Sequence, residues 1–214
     1  MIEIDTPFAA LRINIYININ FQGVIMNIEE AISQTAKRYE KILCNYYPSF
    51  DSVGFTERNL TFNFCSTFYN MVADDELIIW QEVPIKNNDD SKKEHFDSLI
   101  ISRKEKTIYL IEAKRLGYRG KIESMRKDFD RMKKKWKNIN IDKEMKAYSK
   151  YAIIIADLWI PHNDERKKKT KESLLSEFKN IFNKSVQYEV TKKNGPLTEN
   201  ERYFILGYVE KIVD

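Results

Sequence analysis

The chain has 214 residues, of which 43% are hydrophobic and 13% aromatic, with only six Gly and five Pro. That composition excludes disordered and fibrous classes and describes a chain able to bury one sizeable core. Basic and acidic residues nearly balance, at 36 against 32, so the net charge of +4 does not by itself argue for a nucleic-acid partner and the distribution of charge has to decide.

Residues 12–20, RINIYININ, alternate strictly: Ile13, Ile15, Ile17 and Ile19 on one side, Asn14, Tyr16, Asn18 and Asn20 on the other. This is the period of a half-buried strand. A second plausible start lies at Met26, so residues 1–25 are set apart as an extension and residues 26–214 as the main domain. From Asn27 to about Tyr47 the apolar residues Ile28, Ala31, Ile32, Ala36, Tyr39, Ile42 and Leu43 recur at helical spacing until Pro48 and Gly54 break the pattern. A second helix is expected from Thr56, a good N-cap, with Glu57 in its first turn and Phe55 and Leu60 spaced as a hydrophobic staple. Phe64, Phe68 and Met71 would point inward.

The period then changes. Leu77 to Val83 reads as a strand ended by Pro84, followed by the polar loop KNNDDSKK. Residues 95–102 and 107–114 are the next two strands, apolar on both faces and therefore central. From Lys121 to Trp136 the residues Ile122, Met125, Phe129, Met132 and Trp136 outline an amphipathic helix. YAIIIADL at 151–158 is a further buried strand, Leu174, Leu175, Phe178 and Phe182 mark a helix, and 203–213 closes as a strand. There are no repeats, and the order of elements is that of one α/β domain. Cys44 and Cys65 are too few for a disulfide framework or a zinc cluster; in aromatic-rich helical stretches they read as two buried thiols, which fits a reducing cytoplasm. No apolar run approaches the roughly 18 residues of a membrane span, and the N-terminus lacks a signal-peptide pattern, so a cytoplasmic chain with no membrane partner is expected.

The informative stretch is 95–114, HFDSLIISRKEKTIYLIEAK, which places Asp97, Glu112 and Lys114 among buried apolar residues. A hairpin with a four-residue loop at 103–106 pairs residue 102 with 107, and stepping inward puts Asp97 opposite Glu112 and His95 opposite Lys114. Opposed residues of an antiparallel pair share a face, with Cβ atoms roughly 4.5–5.5 Å apart. Glu112 and Lys114, two apart, share it as well. The turn RKEK lacks the Gly or Asn of a tight hairpin, and loops of three or five residues would put Asp97 out of phase. In the expected register two carboxylates face each other where the dielectric is low. One must take up a proton, unless a divalent cation removes the conflict. Mg²⁺ suits such oxygen ligands and binds through one or two carboxylates plus substrate phosphates.

Asp97, then fourteen residues, then Glu112-Ala113-Lys114, on adjacent strands after a helix and a strand, resembles the PD-(D/E)xK phosphodiesterase superfamily, which includes restriction endonucleases, Holliday-junction resolvases and RecB-like nucleases. The resemblance covers about residues 55–158, half of the chain. It implies a restriction-endonuclease-like α/β core with a mixed central sheet flanked by helices. It further implies Mg²⁺-dependent hydrolysis of phosphodiester bonds, in DNA foremost, with Mn²⁺ able to substitute and RNA open to the same chemistry. By that resemblance Asp97 and Glu112 would ligate the metal, with the carbonyl of Ala113 a further ligand. Lys114 would be the catalytic lysine, and Glu57 matches the extra glutamate many members place on the preceding helix. Phe96 stands where the motif has Pro, and 121–136 lacks the Gln and Tyr of RecB-like members, which sets the chain apart from that branch.

Arg115, Arg119 and Lys121 follow the motif directly, at the mouth where a phosphate backbone would arrive, and are expected to contact it. Lys133–Lys137 and Lys167–Lys169, mixed with acids, read as solvated faces, His95 as a hydrogen-bonded strand residue, and Glu82 as a strand-end charge. Two other readings stand beside the nuclease: a nucleic-acid-binding or assembly protein that keeps the fold without cutting, and an unrelated α/β protein in which the three charges form a structural network. The alternation of 12–20 suits addition to a sheet edge in a partner, which leaves a homodimer open.

Overall fold

The computed structural model describes residues 28–45, 56–72, 76–86, 94–161, 164–190 and 201–213. The expected strand at 12–20 and the staple residue Phe55 lie outside them. The elements are α1 (Ile28–Asn45), α2 (Glu57–Met71), β1 (Ile78–Ile85), β2 (Glu94–Ser102), β3 (Thr107–Arg115), α3 (Arg119–Lys135), β4 (Ser149–Ile160), α4 (Glu165–Ile181), β5 (Val186–Glu189) and β6 (Arg202–Ile212). Short 3₁₀ turns at Trp136–Asn138 and Glu144–Ala147 lead from α3 into β4. Among the described residues no helix is long and apolar enough to cross a membrane.

The strands form one mixed sheet in the order β1-β2-β3-β4-β6-β5. β1, β2 and β3 are an antiparallel meander, β4 runs parallel to β3, and β6 returns antiparallel to both β4 and β5. A parallel neighbour requires a crossover, and α3 supplies it. Helices α1 and α2 cover one face of the sheet, α3 and α4 the other. β4 is buried on both faces, which is why YAIIIADL carries no polar alternation. α1 seats closely on β6 because Gly207 has no side chain; a Cβ there would strike Ile32.

Helix starts follow their caps. Thr56 Oγ1 accepts the Asn59 N–H at 3.2 Å at the head of α2, and Asp164 Oδ1 accepts the Lys167 N–H at 2.9 Å at the head of α4. Phe64, Phe68, Phe129 and Trp136 are core residues. Cys65 is buried against Ser98, whereas Cys44, expected to be buried, is exposed on the last turn of α1. β1 does not end at Pro84 but continues to Ile85, because an edge strand tolerates a residue without an N–H.

The hairpin register is the one the spacing predicts: Ser102 pairs with Thr107 and Ser98 with Ile111 across a four-residue loop. The turn closes without Gly. Lys106 takes the left-handed conformation at φ 50°, its N–H bonds Arg103 O at 3.2 Å, and Ser102 Oγ accepts the Glu105 N–H at 3.1 Å. Beyond Ser98 and Ile111 the ladder stops, so the expected pairs Asp97–Glu112 and His95–Lys114 are not formed.

The same level of the sheet carries a second irregularity. Leu77, Ile79, Val83 and Ile85 are all odd-numbered and would share a face in a regular strand. Instead Leu77 and Ile79 pack under α1 and α2, and Val83 and Ile85 under α3 and α4. On β2, Phe96 packs under α3 together with Leu99 and Ile101, three and five residues on. Both strands thus reverse their facing at one level, at Glu82, which has φ 53°, and at Asp97. The motif aspartate sits where the pleat is broken and the strands are free to part.

Candidate active site

Glu112 and Lys114 project from β3 toward α3. Glu112 is 1% exposed. Its Oε1 accepts from Arg131 Nη2 at 2.6 Å, and its Oε2 lies 3.6 Å from Lys114 Nζ. Lys114 Nζ is also 3.2 Å from Asp128 Oδ2 and 3.9 Å from Glu57 Oε2. Arg131 reaches Asp128 Oδ1 at 3.2 Å, and its guanidinium lies over the Phe96 ring, 5.6 Å from the centroid. Phe96 thus forms the floor under that arginine.

The Asp97 carboxylate lies in the gap where the ladder has stopped. Its Oδ2 accepts the Ala113 N–H at 2.7 Å, in place of a backbone bond between the strands. A residue in an extended strand directs its N–H and C=O to the same side, so the Ala113 carbonyl also opens toward β2. Asp97 and Glu112 lie near enough for each to act on the other's charge, and among the described residues no Lys, Arg or His nitrogen reaches Asp97 at ion-pair distance.

The electrostatics follow from this crowding. Burial raises the Asp97 carboxyl above its ordinary range, partly offset by the Ala113 N–H and Lys114. Burial and then the charge of Asp97 push Glu112 up to about 8, against the pull of Arg131 and Lys114. For Lys114 burial alone would favour the neutral amine, but Glu112, Asp128, Asp97 and Glu57 together outweigh it and raise its pKa. Lys114 is therefore an ammonium at neutral pH. Four carboxylates, Glu57, Asp97, Glu112 and Asp128, converge with three cations, Lys114, Lys121 and Arg131, so the fully ionised cluster is one positive charge short.

Glu57, at the head of α2, turns to Lys121 rather than to the two acids. Its Oε1 accepts from Lys121 Nζ at 2.9 Å and from the Arg115 N–H at 3.3 Å, tying α2 to the end of β3. Lys121 is thus part of the site's ion network. Arg119 pairs with Glu177 of α4 at 3.1 Å and is otherwise exposed; Arg115 lies near Asp157 and Glu57. His95 Nε2 meets Glu82 at 2.8 Å, and Arg58 Nε meets the same carboxylate at 3.4 Å. Asp128 and Arg131 were not picked out from the sequence as site residues. Their signal is a second stripe on α3: Lys121, Ser124, Asp128, Arg131 and Lys135 run one position away from the apolar stripe Ile122, Met125, Phe129, Met132 and Trp136.

Among the described residues no three acid, His or Cys side chains are grouped so as to hold a metal ion. Two carboxylates and a backbone carbonyl are, as a donor set, what a cation that keeps part of its water takes, as Mg²⁺ does, and not what one that needs a closed protein cage takes. No family model matches the chain, and no curated protein and no solved structure matches it.

Proposed function

We propose that the chain hydrolyses phosphodiester bonds, most readily in DNA, with Mg²⁺ held by Asp97, Glu112 and the Ala113 carbonyl. In this reading α2-β1-β2-β3-α3-β4 is a restriction-endonuclease-like core of the PD-(D/E)xK kind. The observation that carries it is Asp97 beside Glu112 at the parted end of β2 and β3, its charge raising Glu112's hold on a proton, with the Lys114 ammonium beside them. Mn²⁺ fits the same ligands. A divalent ion bound there would supply a Lewis acid and an activated water.

The chain's own residues have separable tasks. Lys114, kept protonated by its carboxylates, donates to a phosphate oxygen and offsets charge that develops on phosphorus; it does not act as a base. Asp128 and Glu57 orient it. Arg131 holds Glu112 in place while the ion is absent. Glu57 also sets Lys121 at the mouth, where a phosphate backbone would arrive.

One observation favours a second reading. Arg131 already neutralises Glu112 at 2.6 Å, as in a protein that keeps the fold and binds nucleic acid without cutting it. Plasmid, short duplexes and single-stranded oligonucleotides incubated with Mg²⁺ or EDTA, beside Asp97→Ala and Lys114→Ala, separate the two. Mg²⁺-dependent cleavage lost in both variants supports the nuclease. Binding without cleavage, indifferent to EDTA, supports the second reading and contradicts the first.

A further inference from the structure

The outer surface of α2 carries a feature that neither the core nor the acid cluster uses. Phe64 and Phe68 are buried, but Phe62 and Tyr69 are 53% and 56% exposed. They are seven residues apart and so project from the same side of α2, about 10 Å apart along its axis. Leaving two aromatic rings in water forgoes the gain of burying them and does nothing for the fold.

The rings stand in a groove with a definite course. At one end, between α1 and α2, a cavity of about 610 Å³ is lined by Lys37, Arg38, Lys41 and Asn70, with Glu30 as the acid, its carboxylate bonded to Gln34. Arg38 and Asn70 also line the next cavity, of about 530 Å³, with Phe62, Tyr69, Ile79 and Gln81. Gln81 in turn lines a third, of about 200 Å³, with Glu57, Arg58, Glu82 and Asp97. Each hollow shares a lining residue with the next, so the three line up from a basic mouth, past two exposed rings, to Asp97. Arg38 is fixed above the groove, its Nε donating to Asn63 Oδ1 at 2.6 Å and its guanidinium 6.0 Å from the Phe62 centroid.

Cations at the mouth suit a polyanion, and flat rings spaced along the floor suit the faces of successive bases. Base faces are free for stacking in a single strand and occupied in a duplex. We propose that this groove binds single-stranded DNA and leads it to Asp97. The direction of the strand rests on the nuclease reading; the contacts do not.

The test measures binding of the full chain in EDTA, so that cleavage plays no part. Fluorescence anisotropy with labelled oligo-dT and with a duplex of equal length compares the wild type, Phe62→Ala/Tyr69→Ala and Lys37→Glu/Lys41→Glu. All four side chains are exposed or part of the rim, and unchanged melting temperatures verify that the variants fold. The wild type should prefer oligo-dT. Removing the rings should weaken binding roughly tenfold for each ring, and reversing the lysines should weaken it and flatten its salt dependence. Equal affinity of the wild type and both variants for oligo-dT, or a preference for duplex, would overturn the proposal. If the ring variant loses oligo-dT but the wild type cuts nothing with Mg²⁺, the groove stands and the nuclease falls. If the wild type cuts and the ring variant binds oligo-dT as before, the nuclease stands and the groove falls.

Discussion

Two buried carboxylates sit on neighbouring parallel strands and fare differently. Asp157 of β4, the ladder partner of Arg115, points under α1 and α2 and accepts the Tyr203 hydroxyl at 2.5 Å. Burial raises its pKa to about 6, and the Tyr203 hydrogen bond and the nearby Arg115 limit the rise. Glu112 of β3 points under α3 and meets a second carboxylate, and it is pushed further, to about 8. A hydroxyl satisfies an acid permanently and leaves nothing to do. An acid set against another acid keeps a raised pKa even with Arg131 on one of its oxygens, and a further cation or a proton relieves it; that difference separates a structural charge from a candidate ligand.

The sharpest way to break this comparison is by rate. Glu112→Gln should lower single-turnover cleavage on the order of a hundredfold or more, whereas Asp157→Asn should leave it within a few-fold of the wild type. Equal losses would make the two acids equivalent. The next test is Arg131→Gln, which removes the resident counter-charge from Glu112. Mn²⁺ affinity by calorimetry should rise several-fold, while metal-free stability falls by about 1–2 kcal/mol, less than for most broken buried pairs because Glu112 can take up a proton instead. Tyr203→Phe acts on the other acid alone. It should cost about 1–3 kcal/mol in urea denaturation with Mn²⁺ affinity unchanged, since it leaves a buried acceptor short of its donor.

A further test is in pH. Glu112 binds its proton more tightly in the folded chain than in the unfolded one, so in EDTA its contribution to stability falls as pH rises from the ordinary 4.5 to about 8 and is level below that window. Glu112→Gln cannot ionise. Urea midpoints taken on both sides of the window should therefore fall less with pH in the variant than in the wild type, and parallel curves would contradict the assignment.

Much of this arrangement could be read from the residues. Apolar patterning placed α2, α3, β2, β3 and β4, and a four-residue loop at 103–106 gave the hairpin register of Ser98 to Ser102 even though RKEK offered no turn signal. Left-handed Lys106 and the Ser102 side chain close that turn, and neither has a signature in composition. The broken pleat at Glu82 and Asp97 was hidden because a reversal of facing shows only when both packed layers are known. β5 was missed as well, four residues long and only half-buried. Asp128 and Arg131 resembled a solvated helix face, as interleaved charges do, until β3 came within reach of them. Phe62 and Tyr69 were the opposite case, since aromatic residues in a helix read as core and only exposure separates them from Phe64 and Phe68.

The central claim is that Asp97 and Glu112 together await a divalent ion. Diffraction from crystals soaked in Mn²⁺, collected where manganese scatters anomalously, tests it directly. The account predicts a peak between the two carboxylates, beside the Ala113 carbonyl, with Arg131 withdrawn from Glu112. A map without that peak at saturating Mn²⁺, Arg131 still seated on Glu112, would contradict it.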